Sequence, residues 1–244
     1  MAIPVTRPQP DNARTTAALR AQGHIALAAP MLRFEKVMFS LDAEAPEFGA
    51  VIVTSANALR GLADQPAANS LFRLPVFTVG DRTAQAAQDA GFRDVISAGG
   101  DAHDLRALLT ARAQAVKPLL YLAGADLSRD LAAELGTRGF DVVTHTTYRM
   151  APVTDLPDDV ITGFAAGQIA AVLHYSRRSA RAFFQAAGLA GVEISALAIP
   201  HLCLSDAVAK IAHDAGATKV MAAAKPDEDA LFAALTRAIP PNAR

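Results

Sequence analysis

The chain has 244 residues, of which 52% are hydrophobic and 19% are charged, and its formal net charge is −1. This length predicts two small domains with real cores, and the near-neutral charge excludes the broad basic surface of a protein that binds nucleic acid or anionic membranes. No apolar run approaches the roughly 20 residues of a membrane-spanning helix, no signal peptide is visible, and a single cysteine rules out an intrachain disulfide, so we expect a cytoplasmic protein.

Short apolar strands alternate with amphipathic helices through the first half of the chain. The patterns predict strands at residues 3–6, 50–54, 74–79 and 94–97. They predict helices at residues 11–22, from about residue 57, and at residues 82–90 and 102–115. This alternation favours an α/β fold in which helices cover both faces of parallel sheets.

The second half repeats the first. AVIVTSANALRGL, from residue 50, is similar to AAVLHYSRRSARAFF, from residue 170. Two further blocks, which start at residues 75 and 94, have counterparts at residues 200 and 219, a nearly constant separation. The sequence therefore predicts two copies of one α/β unit, with residues 34–48 and 149–160 as linkers. The repeat alone leaves open whether the first block folds with its own half or with the second half.

The turns that follow the predicted strands carry hydroxyl groups, glycines and arginines. Helix N-termini at the carboxyl edge of a parallel sheet bind carboxylates or phosphates, although Ser, Thr, Asn and Asp there are also ordinary N-caps. We expect Asp81, Asp126 and Asp206 to be caps, because a carboxylate would repel an anion. The candidate binding residues are Arg7, Thr54, Ser55, Asn57, Gly80, Thr83, Gly124, Ser176, Ser179 and Ser205.

Motifs for cofactors and nucleophilic catalysis are missing. The sequence has no Gly-x-Gly-x-x-Gly fingerprint, no P-loop and no Gly-x-Ser-x-Gly elbow, and its six histidines lack metal-ligand spacing. The glycine-rich residues 98–104 are explained by a loop and a helix start. Cys203, in an apolar run, is predicted to be a buried strand residue. We therefore expect no metal and no cofactor.

Taken in order, the blocks resemble those of uroporphyrinogen-III synthases over essentially the whole chain. The resemblance lies in VTRP at the start, VIVTSANAL, VFTVGDRTAQAAQDAGF, LLYLAGADLSRDLAAELGTRGFDVVTHTTYRM, LHYSRRSARAFF and LCLSDAVAKIAHDAGATKV. His174 and Tyr175 stand where the family commonly has Phe-Thr, and Ser205 where it often has Gly. The family implies two α/β domains joined by a two-stranded linker, with the active site in the cleft. It implies a discontinuous domain of residues 1–34 and 153–244 and an inserted domain of residues 35–152.

The resemblance also implies the reaction. Hydroxymethylbilane, a linear tetrapyrrole with acetate and propionate groups, loses water and closes into a ring with inversion of the last pyrrole. Pyrrole nitrogen can itself expel the hydroxyl, so the task is orientation, which needs no cofactor. One weak acid could assist, and Tyr148 is the candidate, with strand-end packing as its alternative role. A monomer that binds only a small molecule, with neither nucleic acid nor membrane as a partner, is expected.

Two other functions use similar folds. A two-lobed binding protein of the periplasmic type would share the two α/β lobes without catalysis, but it would carry a signal peptide. A glycosyltransferase-like enzyme would need a nucleotide-phosphate loop and an acidic partner for the ribose, neither of which the sequence has.

Overall fold

A computed structural model describes residues 1–41, 46–112, 117–127 and 129–239 of the chain. The chain divides into two units, unit 1 with Met1–Phe34 and Ala151–Arg244 and unit 2 with Glu35–Met150. Residues 42–45, in the first predicted linker, lie outside the described part. Within the described ranges, no helix combines the length and the apolar character that a membrane span requires.

The helices and strands alternate along most of the chain. In chain order they are β1 (Ala2–Val5), α1 (Asp11–Ala21), β2 (Ile25–Ala28), β3 (Leu32–Lys36), β4 (Ala50–Val53), α2 (Ala56–Leu62), α3 (Ala68–Leu71), β5 (Val76–Thr78), α4 (Asp81–Ala90), β6 (Val95–Ser97), α5 (Ala102–Arg112), β7 (Leu119–Gly124), α6 (Leu131–Gly136), β8 (Val142–Pro152), α7 (Asp158–Ala165), β9 (Val172–His174), α8 (Arg177–Leu189), α9 (Glu193–Leu197), β10 (His201–Cys203), α10 (Asp206–Asp214), β11 (Val220–Ala222) and α11 (Glu228–Ala238).

Unit 1 contains a sheet with the strand order β11-β10-β9-β1-β2, and all of its pairs are parallel. Successive residues of its central strands point to opposite faces. In β9, Val172 belongs to a core that includes α7 and α8, whereas Leu173 packs with side chains of α1 and α11. Because both faces are buried, the strand reads as a continuous apolar run.

The second sheet has the order β3-β8-β7-β4-β5-β6 and belongs to unit 2, except that residues 32–34 of β3 and 151–152 of β8 fall in unit 1. The strands from β8 to β6 are parallel. The backbone N–H of Val37, just after β3, donates to Thr147 O at 2.9 Å, whereas Val153, just after β8, donates to Met31 O at 3.0 Å. Since one strand advances as the other recedes, β3 runs antiparallel to β8 at the sheet edge.

The two sheets share one topology. When β4, β5 and β6 are matched with β9, β10 and β11, the neighbours β7 and β8 match β1 and β2. The α/β fold predicted from the repeat is therefore confirmed, with parallel strands between two layers of helices in each unit. β1 lies in the sheet of β9, β10 and β11, not in the sheet of β4.

Some local predictions were wrong. Asp126 precedes no helix, because the cap of α6 is Asp130, whose side chain accepts the N–H of Ala133. Asp81 and Asp206 are the first residues of α4 and α10, where a carboxylate favours the positive end of the helix dipole, and the cap positions are Gly80 and Ser205. Strand β8 runs from Val142 through Pro152, so Tyr148 lies inside the strand and does not end it. Residues 149–152 of the second predicted linker are strand, which a two-stranded linker allows.

Candidate active site

A cavity of about 420 Å³ lies in unit 2 at the carboxyl ends of β4 and β7. Four of the predicted site residues line it, namely Thr54, Ser55, Gly124 and Tyr148. Three others from the same unit, Asn57, Gly80 and Thr83, are not among its lining residues. The structure thus brings together the turn after β4 and the end of β7, but leaves the start of α4 outside the cavity.

Gly124 makes room for the ring of Tyr148. A β-carbon on Gly124 would lie 2.7 Å from Cζ and 2.8 Å from the hydroxyl of Tyr148, far inside van der Waals contact. The strands β7 and β8 shift register between Ala123 and Gly124, and Ala125 N–H donates to Tyr148 O at 2.9 Å. The missing side chain of Gly124 and the bulge together leave space at the cavity for the phenol of Tyr148.

A second tyrosine, Tyr121, lines the same cavity and was missed by the sequence analysis. It lies on β7 opposite Ile52, and its hydroxyl is 3.0 Å from Thr54 Oγ1. Burial raises the pKa of Tyr121, against the opposing effect of the Thr54 hydrogen bond. The phenol is therefore neutral near pH 7, and either hydroxyl of the Tyr121–Thr54 pair can donate the hydrogen bond. The signal in the sequence was a polar residue inside the apolar run Leu119–Gly124.

Helix α2 is fixed closely against the strand that carries Tyr148. A β-carbon on Gly61 would lie 2.3 Å from Thr147 O, so only glycine permits this approach. Thr147 Oγ1 is 3.1 Å from Ala58 O, which adds a polar contact between strand and helix. Ser55 caps α2 and accepts the N–H of Asn57 at 3.2 Å. The N-terminus of α2 is thereby held beside Tyr148.

Charged side chains also line the cavity, and the sequence analysis did not single out any of them as ligands. They are Asp101, Asp126, Arg129 and Glu134. Arg129 forms an ion pair with Glu134, and Nη2 lies 3.1 Å from Oε1. The arginine precedes a helix rather than following a strand, so an analysis of strand ends could not find it.

Asp101 begins α5 as a cap. Its Oδ1 accepts the backbone N–H of His103 at 2.6 Å and of Asp104 at 3.3 Å, and these two bonds are the main cause of its lowered pKa. Asp104 in return accepts the N–H of Asp101 at 2.9 Å. Ligand atoms of Asp101, His103 and Asp104 lie within 4.8 Å of one another, close enough for a metal ion, but all three are exposed. Reciprocal capping accounts for this arrangement.

At the corresponding edge of unit 1, Arg7 is occupied by the protein itself. Its Nη2 donates to Asp11 at 3.1 Å and its Nη1 to Glu228 at 3.2 Å. The guanidinium also lies over the ring of Tyr175, 4.8 Å from the centroid. Tyr175 donates to Glu228 Oε1 at 2.9 Å, and Thr15 donates to the same oxygen. Two carboxylates thus compete with any anionic ligand for Arg7.

The predicted serines of unit 1 lie at helix starts. Ser176 caps α8 and accepts the N–H of Ser179 at 3.1 Å, and the two hydroxyls are 2.9 Å apart. Ser179 is fully buried. Ser205 occupies the cap position of α10 without a side-chain cap bond. Because β1, β9 and β10 are parallel, Arg7, Ser176 and Ser205 lie along one edge of the sheet.

Two buried histidines adjoin this edge. His201 Nε2 lies 2.9 Å from Ala196 O, so it carries the proton, and Nδ1 must accept from His174 Nε2 at 3.0 Å. His174 Nδ1 in turn faces Thr6 Oγ1 at 3.3 Å. Burial lowers the pKa of His174 strongly and that of His201 to about 4. Cys203 is buried in β10, as predicted, and burial raises its pKa to about 12.

Comparisons with known proteins agree over the whole fold. The family model for uroporphyrinogen-III synthase HemD matches residues 13–233. The structure is similar to that of uroporphyrinogen-III synthetase from Helicobacter pylori, with a TM-score of 0.65, 19% identity, and coverage of 97% of this chain and 98% of that chain. A mutant uroporphyrinogen III synthase from the extremely thermophilic bacterium Thermus thermophilus gives a TM-score of 0.52, 15% identity, and coverage of 98% of each chain. No curated protein matches by sequence.

Proposed function

The chain belongs to the uroporphyrinogen-III synthase family, and from that premise we propose how this chain closes hydroxymethylbilane into uroporphyrinogen III. The family model carries the assignment, because it covers residues 13–233 and so includes both units. The enzyme is a cyclising lyase. It removes the hydroxyl of the linear tetrapyrrole as water and joins the ends after inversion of the last pyrrole ring.

We propose that Tyr148 assists departure of the hydroxyl. Its ring is directed to the cavity by the gap at Gly124, and Thr54 and Ser55 line the same space. A neutral phenol donates a hydrogen bond without placing a negative charge near the carboxylates of the substrate. Because the pyrrole nitrogen already pushes the leaving group, this assistance contributes less than general acid catalysis usually does.

Selection of the inverted ring would come from binding geometry. Substrate carboxylates would be held by backbone N–H and hydroxyl groups at Thr54, Ser55, Thr83 and Ser176. Support for Thr54 and Ser55 is their position at the cavity, whereas Thr83 and Ser176 are supported by their helix starts alone. Remaining predicted contacts are Arg7, Asn57, Gly80, Gly124, Ser179 and Ser205. Arg7 is the weakest of them, because Asp11 and Glu228 already bind it.

The two units are proposed to be the two folding domains, and the chain to act as a cytoplasmic monomer without metal or cofactor. Each unit has its own sheet and its own core clusters, which supports independent folding. Full activity in the presence of a chelator and a single monomeric peak in light scattering are expected. Activity that disappears with the chelator would contradict the cofactor-free mechanism.

Product analysis tests the function. Purified protein is supplied with hydroxymethylbilane by a coupled source, and the oxidised products are separated into type I and type III isomers. We expect mainly type III, because spontaneous closure gives the uninverted type I ring. A product mixture identical to that of the no-enzyme control would refute the assignment. Ser55→Ala tests the distributed contacts, since its backbone N–H survives and only a modest loss of affinity is expected.

A further inference from the structure

Two arginines hold one carboxylate at the wall of the unit 2 cavity. Glu134 Oε1 accepts from Arg129 Nε at 3.1 Å, and Arg129 Nη2 is also 3.1 Å from this oxygen. The other oxygen, Oε2, accepts from Arg106 Nη1. The three side chains, which form the Arg106–Glu134–Arg129 chain, come from α5, α6 and the turn before α6.

Burial decreases from one end of this chain to the other. The exposed fraction of the side chain is 17% for Arg106, 28% for Glu134 and 51% for Arg129. Glu134 and Arg129 line the cavity, whereas Arg106 does not. Arg106 is therefore the inner anchor of the carboxylate, and Arg129 is the member that solvent or a ligand can reach.

Arg129 keeps donors for a ligand. A guanidinium has five N–H groups in a planar fork, and the contact with Glu134 is made through Nε and Nη2 at one edge. This geometry leaves the Nη1 edge directed away from Glu134. Because two arginines share one carboxylate, the Arg106–Glu134–Arg129 chain has a net charge of +1. Glu134 therefore orients Arg129 without cancelling its attraction for an anion.

The other acids of the cavity restrict where an anion can bind. Asp101 directs its carboxylate at the start of α5, and Arg129 makes the smallest of the contributions to its lowered pKa. Asp126 is exposed and lines the same cavity. Among the charged side chains that line the cavity, Arg129 is thus the only cation in the described part of the chain, and a carboxylate of a ligand gains an ion pair there by direct contact with it.

We propose that Arg129 binds a carboxylate of the tetrapyrrole substrate, with Glu134 as the residue that positions it and Arg106 as the anchor of Glu134. This inference rests on the proposed function, because it needs a polycarboxylate substrate in the cavity that Tyr148 lines. Half-exposed Arg129 would supply affinity and orientation, whereas the inner residues would supply rigidity.

The test compares Arg129→Gln, Arg106→Gln and a control, Arg138→Gln. Arg138 is an exposed arginine just after α6 that forms a long hydrogen bond, 3.4 Å, to Thr110. KM and kcat are measured with hydroxymethylbilane, affinity with uroporphyrin by fluorescence quenching, and the melting temperature by calorimetry. Uroporphyrin is a stable octacarboxylate, so its binding is read independently of turnover.

We expect Arg129→Gln to raise KM and the Kd for uroporphyrin about tenfold, to leave kcat within about twofold, and to change the melting temperature little. Arg106→Gln should instead lower the melting temperature and raise KM less than Arg129→Gln does, since it removes the partly buried hydrogen bond to Glu134 but leaves Arg129 in place. Arg138→Gln should match the wild type in every measurement. An Arg129→Gln protein with wild-type KM and Kd would overturn the inference.

Measurements on the wild-type protein distinguish failure of the proposed function from failure of the inference about Arg129. If the wild-type protein forms type III product but Arg129→Gln is unimpaired, only the inference fails. If the wild type neither turns over hydroxymethylbilane nor binds uroporphyrin, the function fails and the inference falls with it. If Arg129→Gln and Arg106→Gln lose stability equally and KM is unchanged in both, Arg129 has a structural role and the inference is wrong.

Discussion

The carboxyl edges of the two sheets carry similar residues but use them differently. In unit 2, Thr54, Ser55 and Tyr148 line a cavity, and Arg129 lies beside them with one edge of its guanidinium in contact with Glu134. In unit 1, Arg7 is held between Asp11 and Glu228. A duplicated fold thus repeats the topology without repeating the site. We therefore predict that side-chain contacts to a polyanionic substrate come mainly from unit 2, and that unit 1 contributes chiefly helix N–H groups.

The largest expected difference between the units is their stability in acid. His174 and His201 of unit 1 are buried and neutral, and the pKa of His201 falls to about 4. In the unfolded chain both histidines become protonated near pH 6.5, whereas in the folded protein they stay neutral. The free energy of unfolding is therefore unaffected by them above pH 6.5 and decreases as the pH falls from 6.5 toward 4. Each histidine contributes a slope of about 1.4 kcal/mol per pH unit, which totals about 3 kcal/mol for His201.

Hydrogen exchange of backbone amides at pH 7 and at pH 4.5 measures the stability of each unit. Protection of amides in unit 1 should fall more steeply than protection in unit 2, and His201→Gln should make unit 1 less dependent on pH. Equal losses in both units, with no effect of the substitution on the slope, would show that carboxylates rather than the histidine pair set the acid limit.

The next effect concerns the space that Gly124 leaves for Tyr148. Gly124→Ala would place a β-carbon 2.7 Å from the tyrosine Cζ, so the ring or the strand must move. We expect kcat to fall by about 10- to 100-fold, the range for misplacing a reacting group, with a stability loss of about 1–3 kcal/mol.

Gly136→Ala is the matched control for that measurement. Gly136 is the last residue of α6, and a β-carbon there would meet nothing within 4 Å among the residues that the structure describes. Its steady-state kinetics should equal those of the wild type. If Gly124→Ala also retained wild-type kcat, the position of the Tyr148 ring would have no bearing on turnover.

The smallest expected effect concerns Arg7, whose role in substrate binding we expect to be minor compared with that of Arg129. Glu228→Gln weakens the site in which Arg7, Thr15 and Tyr175 meet one carboxylate oxygen. It should cost about 1 kcal/mol of stability, because the ion pair is partly exposed, and leave KM unchanged. Asp229→Asn, in the same turn of α11, is the control. A tenfold change in KM from Glu228→Gln would show that Arg7 is a major substrate contact and not the weakest of the proposed ones.

Much of the fold followed from periodicity. The buried runs at β4 and β9 read as strands in the sequence because they are apolar at nearly every position, and their helices begin at recognisable caps such as Ser55 and Ser176. The error at Asp126 arose because a polar residue after a strand predicts a cap only if a helix begins there. In this turn the helix begins five residues later, at Leu131.

The site was less predictable than the fold, for a physical reason. Thr54, Ser55 and Gly124 follow or end strands, so sheet topology groups them at one edge, and Tyr148 joins them because it pairs with Gly124 from within β8. Tyr121 points from the middle of an apolar strand, and Arg129 depends on a partner in a different helix. Likewise, nothing local to Arg7 reveals that Glu228, more than two hundred residues away, binds it. Such long-range side-chain pairs need the folded structure.

The rate and the product isomers of Tyr148→Phe show most directly whether Tyr148 assists departure of the hydroxyl while binding geometry selects the isomer. Single-turnover measurements with saturating enzyme remove product release from the observed rate, so that the chemical step can be compared between the two proteins. We predict a rate reduced by up to about 100-fold, the lower end of the range for general acid catalysis, with type III still the main product. An unchanged rate, or a Tyr148→Phe product that shifts to type I, would contradict this division of roles.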